Sequence, residues 1–255
     1  MSAGVSQPRE PIFNIPAIVV AMLAVLVFLH LFRVYWLSSE ENQLLVWQAA
    51  FVPARFTFDN LEVAGWRHGY WLWTFVTYAF IHADFVHLGF NSVWLLAFGT
   101  AVSRRFGAVR FLVLFVLSAG AGAAAHLLAH FGDLQPLVGA SASISGTMGA
   151  AARFAFQSGG PLDSWRTVEG DHGYRLPAAP LRKALRDPRV LAFLGAWFGL
   201  NLLFGLGSLP IIGEEQSIAW EAHVGGFLTG LLLFAWFDPI HTEADFNDGE
   251  APDLH

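Results

Sequence analysis

The 255-residue sequence contains no cysteine and few charged residues. The absence of cysteine excludes disulfides, thiolate metal sites and a thiol nucleophile. Charged residues make up 13% of the chain, against the roughly 25% that is usual in soluble domains, whereas hydrophobic residues reach 55%. The formal net charge of -6 comes from acids in the final segment and the loops, so we do not expect nucleic acid as a partner. This composition is typical of a protein that resides in a membrane.

Long apolar runs occupy most of the sequence. A hydrocarbon core about 30 Å thick requires roughly 20 apolar residues per helix. Runs of this kind lie near 15–37, 85–103, 108–130, 141–157, 188–206 and 220–237. The first run is too long for the core of a signal peptide, and we expect it to be retained. The sequence therefore predicts an all-α, polytopic membrane protein with six transmembrane helices: a tail over 1–14, a membrane domain over 15–237 and an acidic tail over 238–255.

The distribution of Lys and Arg predicts how the spans are oriented, because cytoplasmic loops retain basic residues. Basic residues cluster after the second and fourth spans: Arg104, Arg105, Arg110, Arg166, Arg175, Arg182, Lys183, Arg186 and Arg189. The segments 131–140 and 207–219 contain none. We therefore expect both termini in the cytoplasm and the aromatic segment 38–84 in the outer interface. The Gly- and Pro-containing segment 158–187 is predicted to be a flexible cytoplasmic loop.

Polar side chains inside the apolar runs indicate a site, because such groups are costly in lipid and face partners or a cavity. His87 and Asn91 are four residues apart, so on a helix they lie on one face. In the sixth run, His223 precedes Gly226 and Gly230, whose spacing allows a neighbouring helix to approach closely. These side chains are predicted to meet in the outer half of the bundle.

The fourth run opens with the small residues and hydroxyls of 139–146. Ser141 is expected at or near a helix N-terminus, where free N–H groups and the helix dipole stabilise a developing oxyanion. A helix from Ser141 to Gln157 would be about 25 Å long, which leaves Ser141 several ångströms below the outer surface. Ser143 and Ser145 are alternative nucleophiles, but they lie further into the helix, where hydroxyls commonly bond back to a preceding carbonyl.

These residues together resemble the rhomboid family of intramembrane serine proteases, and the resemblance covers nearly the whole chain. Similar features are a His-x-x-x-Asn in the second span, a Gly-x-Ser opening the fourth, and an Ala-His followed by glycines in the sixth. The Phe-Ile-His over 80–82 is also similar. The chain departs from the family pattern at three positions. Ala142 follows the nucleophile in place of a glycine, Thr74 replaces an arginine, and Ser103 replaces an acidic residue.

The resemblance implies a six-helix rhomboid-like bundle that hydrolyses peptide bonds. Ser141 would be the nucleophile and His223 its general base, a dyad that needs no acid behind the histidine. His87, Asn91 and the Ser141 backbone N–H would form the oxyanion hole. No cofactor and no metal would be required. The expected substrates are single-span membrane proteins cleaved near the outer boundary of the lipid bilayer. The expected location is a bacterial inner membrane, with an organelle membrane as the alternative, and the oligomeric state stays open.

Other interpretations fit parts of the sequence. A catalytically inactive relative that binds membrane clients would not need a reactive Ser141, and Ala142 is compatible with it. A small transporter or channel would need polar stripes through several spans or helices broken at mid-membrane. His126 and His130, together with His82, suggest a metal site. Because no carboxylate or cysteine accompanies them in the sequence, we expect interfacial histidines satisfied by water or backbone instead.

Overall fold

The computed structural model describes residues 15–57, 71–162, 172–205 and 219–240. Within these ranges the chain is helical and forms no strand. The main helices are α1 (Ala17–Tyr35), α2 (Ser39–Ala49), α3 (Phe85–Phe106), α4 (Ala108–Ala129), α5 (Ser141–Ala151), α6 (Pro188–Gly205) and α7 (Trp220–Phe237). The tail 1–14, most of the outer segment 207–219 and most of the acidic tail lie outside the described residues.

Three of the described helices, α1, α3 and α4, are long and apolar enough to cross a membrane. The central helix α5 is shorter than the run that predicted it. It ends at Ala151, so the prediction of a helix over 141–157 was wrong for its last six residues, 152–157. The backbone N–H groups of Arg153 and Phe154 donate to carbonyls three residues back, and these tighter bonds turn the chain out of the helix. The depth estimated for Ser141 from a 17-residue helix therefore has no basis.

Helix α5 packs between α4 and α7 and is buried from Ala142 to its end. Its small residues allow the helix backbones to touch. A Cβ placed on Gly226 would collide with the backbone of Ala142, and one placed on Gly230 would collide with the backbone of Gly146. The predicted close approach at Gly226 and Gly230 is therefore confirmed, and it brings the first turns of α5 and α7 together.

The segment after α1 supports the loop that leads into α5. Ser38 and Glu41 form a capping box at the start of α2, and the hydrogen bonds from Ser38 lower the pKa of the Glu41 carboxyl.

Further along, the backbones of Phe51 and Leu137 exchange two hydrogen bonds of 3.1 and 2.8 Å. The Arg55 guanidinium lies over the rings of two tryptophans, and burial lowers the pKa of Arg55 to about 10. Residues 135–139 are thereby held against a folded segment.

At the opposite end of the bundle, Arg105 joins α3 to the end of α7 and to the segment before α6. Its buried guanidinium makes two hydrogen bonds, of 2.9 and 2.8 Å, to the Asp238 carboxylate. It also donates to the carbonyls of Tyr174 and Leu176. Bidentate bonds of this kind are geometrically specific. Residues 174–176, which lie within the predicted loop 158–187, are therefore held against the bundle.

Candidate active site

Ser141 and His223 meet at the start of two adjacent helices. Helix α5 begins at Ser141, as predicted, and His223 lies in the first turn of α7. The Nε2 atom of His223 is 2.7 Å from the Ser141 Oγ. Both side chains are partly buried. A hydroxyl within hydrogen-bond reach of an imidazole is the arrangement that activates a serine nucleophile.

Asn201 of α6 determines which nitrogen of His223 accepts the serine proton. The Asn201 Nδ2 donates to the Trp197 carbonyl at 2.8 Å, which directs the side-chain oxygen toward α7. That oxygen forms a hydrogen bond with the Nδ1 of His223. Because an amide oxygen only accepts, Nδ1 carries the proton and Nε2 is free to accept from Ser141. Sequence reasoning missed Asn201, although a lone asparagine in the fifth apolar run was a signal.

His87 and Asn91 lie on one face of α3, beside the chain that enters α5. Gly139 has a φ of +113°, which favours glycine. A Cβ at Gly139 would lie 2.5 Å from His87 Nε2 and 3.7 Å from Asn91 Nδ2. The Asn91 side chain is almost fully buried and donates to the His87 carbonyl at 3.1 Å. The structure thus places both predicted oxyanion residues beside Gly139, two residues before Ser141.

Ala142, the departure next to the nucleophile, points toward α4. A Cβ placed on Gly122 would lie only 2.5 Å from the Cβ of Ala142, so Gly122 leaves room for this methyl group. Ser143, an alternative nucleophile, donates to the Phe115 carbonyl of α4 at 2.9 Å rather than to a preceding carbonyl of its own helix. Ser145 is buried within α5. Of the three hydroxyls, the one at hydrogen-bond distance from His223 belongs to Ser141.

His82, which the sequence grouped with His126 and His130 as a possible metal site, is not part of the same cluster in the described residues. The His82 ring is 5.2 Å from the His87 ring, and burial lowers the pKa of His82 to about 3. His126 and His130 lie elsewhere, next to Glu221 of α7. The expectation that these histidines are satisfied by water or backbone was wrong, because both face the carboxylate of Glu221, which is 95 residues from His126 in sequence and reaches it only in the folded bundle.

Comparisons with known proteins agree on one family. The Rhomboid domain model matches residues 70–238, more than half of the chain. A protein named rhomboid protease GlpG from Yersinia pseudotuberculosis is 30% identical over 170 residues, which cover 65% of this chain and 48% of the relative. RHOMBOID-like protein 6, mitochondrial, from Arabidopsis thaliana is 25% identical over 184 residues, 71% of this chain and 50% of the relative.

The chain spans about half the length of these curated relatives. The family match covers the described helices α3 to α7, which contain Ser141, His223, His87 and Asn91. The helices that are apolar and long enough to cross a bilayer fit the same family. The protein is therefore an integral membrane protein and belongs to the rhomboid family, which includes intramembrane proteases.

Proposed function

We propose that this protein is an intramembrane serine endopeptidase that cleaves single-span membrane proteins near the outer boundary of the bilayer. The observation that carries the proposal is the 2.7 Å hydrogen bond between His223 Nε2 and Ser141 Oγ. The orientation of the imidazole by Asn201 supports it, because the free nitrogen is then directed at the hydroxyl. The rhomboid protease named among the relatives is consistent with this activity.

The proposed reaction proceeds in two stages. Ser141 Oγ attacks the peptide carbonyl carbon while His223 Nε2 takes the hydroxyl proton, which gives a tetrahedral intermediate. His223 then gives that proton to the leaving amine, the C–N bond breaks, and an ester to Ser141 remains. A water molecule attacks this ester with His223 again acting as base, and the acid product leaves as Ser141 recovers its proton. The chemistry uses protein groups alone and needs no cofactor or metal.

Negative charge develops on the former carbonyl oxygen in both stages. The proposed donors are the Ser141 backbone N–H and the side chains of His87 and Asn91. Their support is the position of His87 and Asn91 beside Gly139, together with the start of α5 at Ser141. Donors fixed by helices before the reaction need no reorganisation when charge forms. Losing one such donor commonly lowers kcat by about 10²- to 10³-fold.

The proposed topology has six spans. Helices α1, α3 and α4 have the length and composition of spans, and we assign α5, α6 and α7 as the other three because they pack with that group. The buried 11-residue α5 is about 16 Å long, which is shorter than the roughly 30 Å hydrocarbon core. We place α5 so that it ends short of both membrane surfaces, and Ser141 then lies within the membrane thickness. In this topology the tails 1–14 and 238–255 flank the membrane domain 15–237 on the cytoplasmic side of a bacterial inner membrane.

The test is cleavage of a fluorescent single-span reporter by the full chain in proteoliposomes. We expect cleavage by the wild type and none by Ser141→Ala or His223→Ala. Gly120→Ala is the matched control, because a Cβ there meets no atom within 4 Å, and it should cleave normally. A folded wild type that binds the reporter without cleaving it would instead support a non-catalytic relative, for which the alanine at position 142 is the supporting observation.

A further inference from the structure

A second polar cluster, formed by His126, His130 and Glu221, lies at the end of α4 and the start of α7. One ligand atom from each of these three residues falls within 4.8 Å of the others. His126 Nδ1 is 2.6 Å from Glu221 Oε1, and His130 Nε2 is 3.3 Å from the same oxygen. His126 and Glu221 are buried, and His130 is partly exposed, so an ion could enter past His130. The serine hydrolase chemistry proposed above uses none of these three side chains.

Rigid elements hold the three side chains. His126 and His130 are four residues apart at the end of α4, with ring centroids 4.6 Å apart. The backbones of α7 and α4 approach each other closely at Gly225, because a Cβ placed there would lie 2.7 Å from the Ala121 carbonyl oxygen. Two histidines at this spacing, joined by a carboxylate from a second element, are a ligand set used for zinc.

The two carboxylates around His130 are compatible with a bound metal cation at this cluster, although an imidazolium would also satisfy both of them. Its Nδ1 is 2.9 Å from Asp133 Oδ2, and its Nε2 faces Glu221. A neutral imidazole has one N–H and satisfies only one of these two carboxylates. A metal ion bound to Nε2 would leave the Nδ1 proton for Asp133. A carboxylate behind a ligating histidine is the usual arrangement around protein-bound metals, where it fixes the ring and its tautomer.

We propose that His126, His130 and Glu221 bind a divalent transition-metal ion of the zinc class, and that Asp133 orients His130. Imidazole and carboxylate ligands suit Zn²⁺ and its neighbours in the first transition row. Two ligands of a tetrahedral zinc lie about 3.4 Å apart, so the 2.6 Å contact between His126 and Glu221 opens by less than about 1 Å on binding. Rotation about the terminal torsion of the glutamate, which has a broad energy minimum, provides that movement.

A metal at this position would join α4 to the first turn of α7. Glu221 precedes His223 by two residues in that turn. The ion would therefore fix the helix start that carries the proposed base, without contacting a reacting atom. This assignment concerns binding and does not depend on peptidase activity, so it is testable in a Ser141→Ala background as well as in the wild type.

The experiment is titration of the tag-free, chelator-treated full chain in detergent with Co²⁺, whose visible absorption reports coordination. We expect one Co²⁺ per chain in the wild type and in Ser141→Ala, and displacement of Co²⁺ by one equivalent of Zn²⁺. His126→Ala and Glu221→Gln should lose the spectrum. Asp133→Asn should weaken Co²⁺ binding by about 10- to 100-fold. His172→Ala is the control, because His172 is exposed and separate from the cluster, and it should bind as the wild type does.

Thermal unfolding checks each variant for folding and gives a second readout. Zn²⁺ should raise the Tm of the wild type and of His172→Ala, because a ligand that binds only the folded state stabilises it. Zn²⁺ should leave the Tm of Glu221→Gln unchanged. This variant is a fair comparison, because glutamine keeps the size of the side chain and its ability to accept hydrogen bonds. Absence of a Co²⁺ spectrum in folded wild type, or equal Co²⁺ binding by wild type and Glu221→Gln, would overturn the assignment and leave a hydrogen-bonded cluster.

Discussion

The side-chain oxygen of Asn201 accepts a hydrogen bond from the Nδ1 of His223. This contact joins α6 to α7 and selects the tautomer in which Nε2 accepts from Ser141. The resemblance to the rhomboid family implied a two-residue centre, with no acid required behind the histidine. The structure adds an uncharged residue at that place, and in the proposed mechanism Asn201 is a positioning residue that acts through His223.

Asn201→Ala should lower kcat by about 10- to 100-fold while KM stays nearly unchanged, because a misoriented base costs turnover rather than substrate binding. Asn201→Asp keeps an acceptor for Nδ1 but loses the donor to the Trp197 carbonyl, so it should retain only part of the activity. Steady-state cleavage of the single-span reporter in proteoliposomes measures both. Equal kcat in wild type and a well-folded Asn201→Ala would remove Asn201 from the mechanism.

Asn91→Ala should lower kcat by ~10²-fold or more without unfolding the bundle, because it removes one proposed donor to the oxyanion. Ser92→Ala is the matched control on the same helix, since the Ser92 hydroxyl donates to the Leu88 carbonyl and lies outside the proposed centre. The measurement is turnover at saturating reporter, with the Tm of each variant as a check. Normal turnover by Asn91→Ala would show that this amide does not stabilise the transition state.

Gly226→Ala should abolish cleavage and lower the Tm by several degrees, because its Cβ would collide with the backbone of Ala142 and separate α7 from α5. Gly120→Ala adds the same methyl group to a helix at a place where nothing lies within 4 Å. It should change neither quantity appreciably. If the two variants behaved alike, the close packing of α5 and α7 would not be what holds Ser141 beside His223.

Ala142→Gly should preserve activity, because it removes only a methyl group that lies against Gly122 of α4 and no side chain of the proposed centre. Gly122→Ala should lower both Tm and turnover, since its Cβ would meet Ala142, the Ala222 carbonyl and the Tyr78 hydroxyl. Adding Ala142→Gly to Gly122→Ala should recover part of that loss, which a double-mutant cycle on Tm would measure. A large loss of activity in Ala142→Gly alone would contradict this packing.

Two of the apolar runs in the sequence predicted the limits of a helix closely. The sixth run, 220–237, has the same limits as α7, and the third differs from α4 by one residue at its end. The start of α5 at Ser141 also followed from its small residues. Its end did not, because the run stays apolar past Ala151 while the backbone turns, and apolarity alone does not distinguish a helix from a buried turn.

Contacts between helices were harder to predict than the helices themselves. His87 and Asn91 could be paired because four residues on one helix fix their relative position. The contact of Asn201 with His223 and that of Glu221 with His126 depend on how separate helices are arranged. A single sequence does not contain that information, so the positioning residue and the carboxylate of the second cluster became visible only in the fold.

The proposal that His223 activates Ser141 is tested most directly by labelling the purified protein with a fluorophosphonate, which reacts with activated serines. Wild type, Ser141→Ala, His223→Ala and Ser143→Ala would be compared in detergent after each is shown to be folded. We expect labelling of the wild type and of Ser143→Ala, because the native Ser143 hydroxyl donates to the Phe115 carbonyl and not to His223. We expect no labelling of Ser141→Ala or His223→Ala. Labelling that persists in Ser141→Ala, or no labelling of folded wild type, would contradict it.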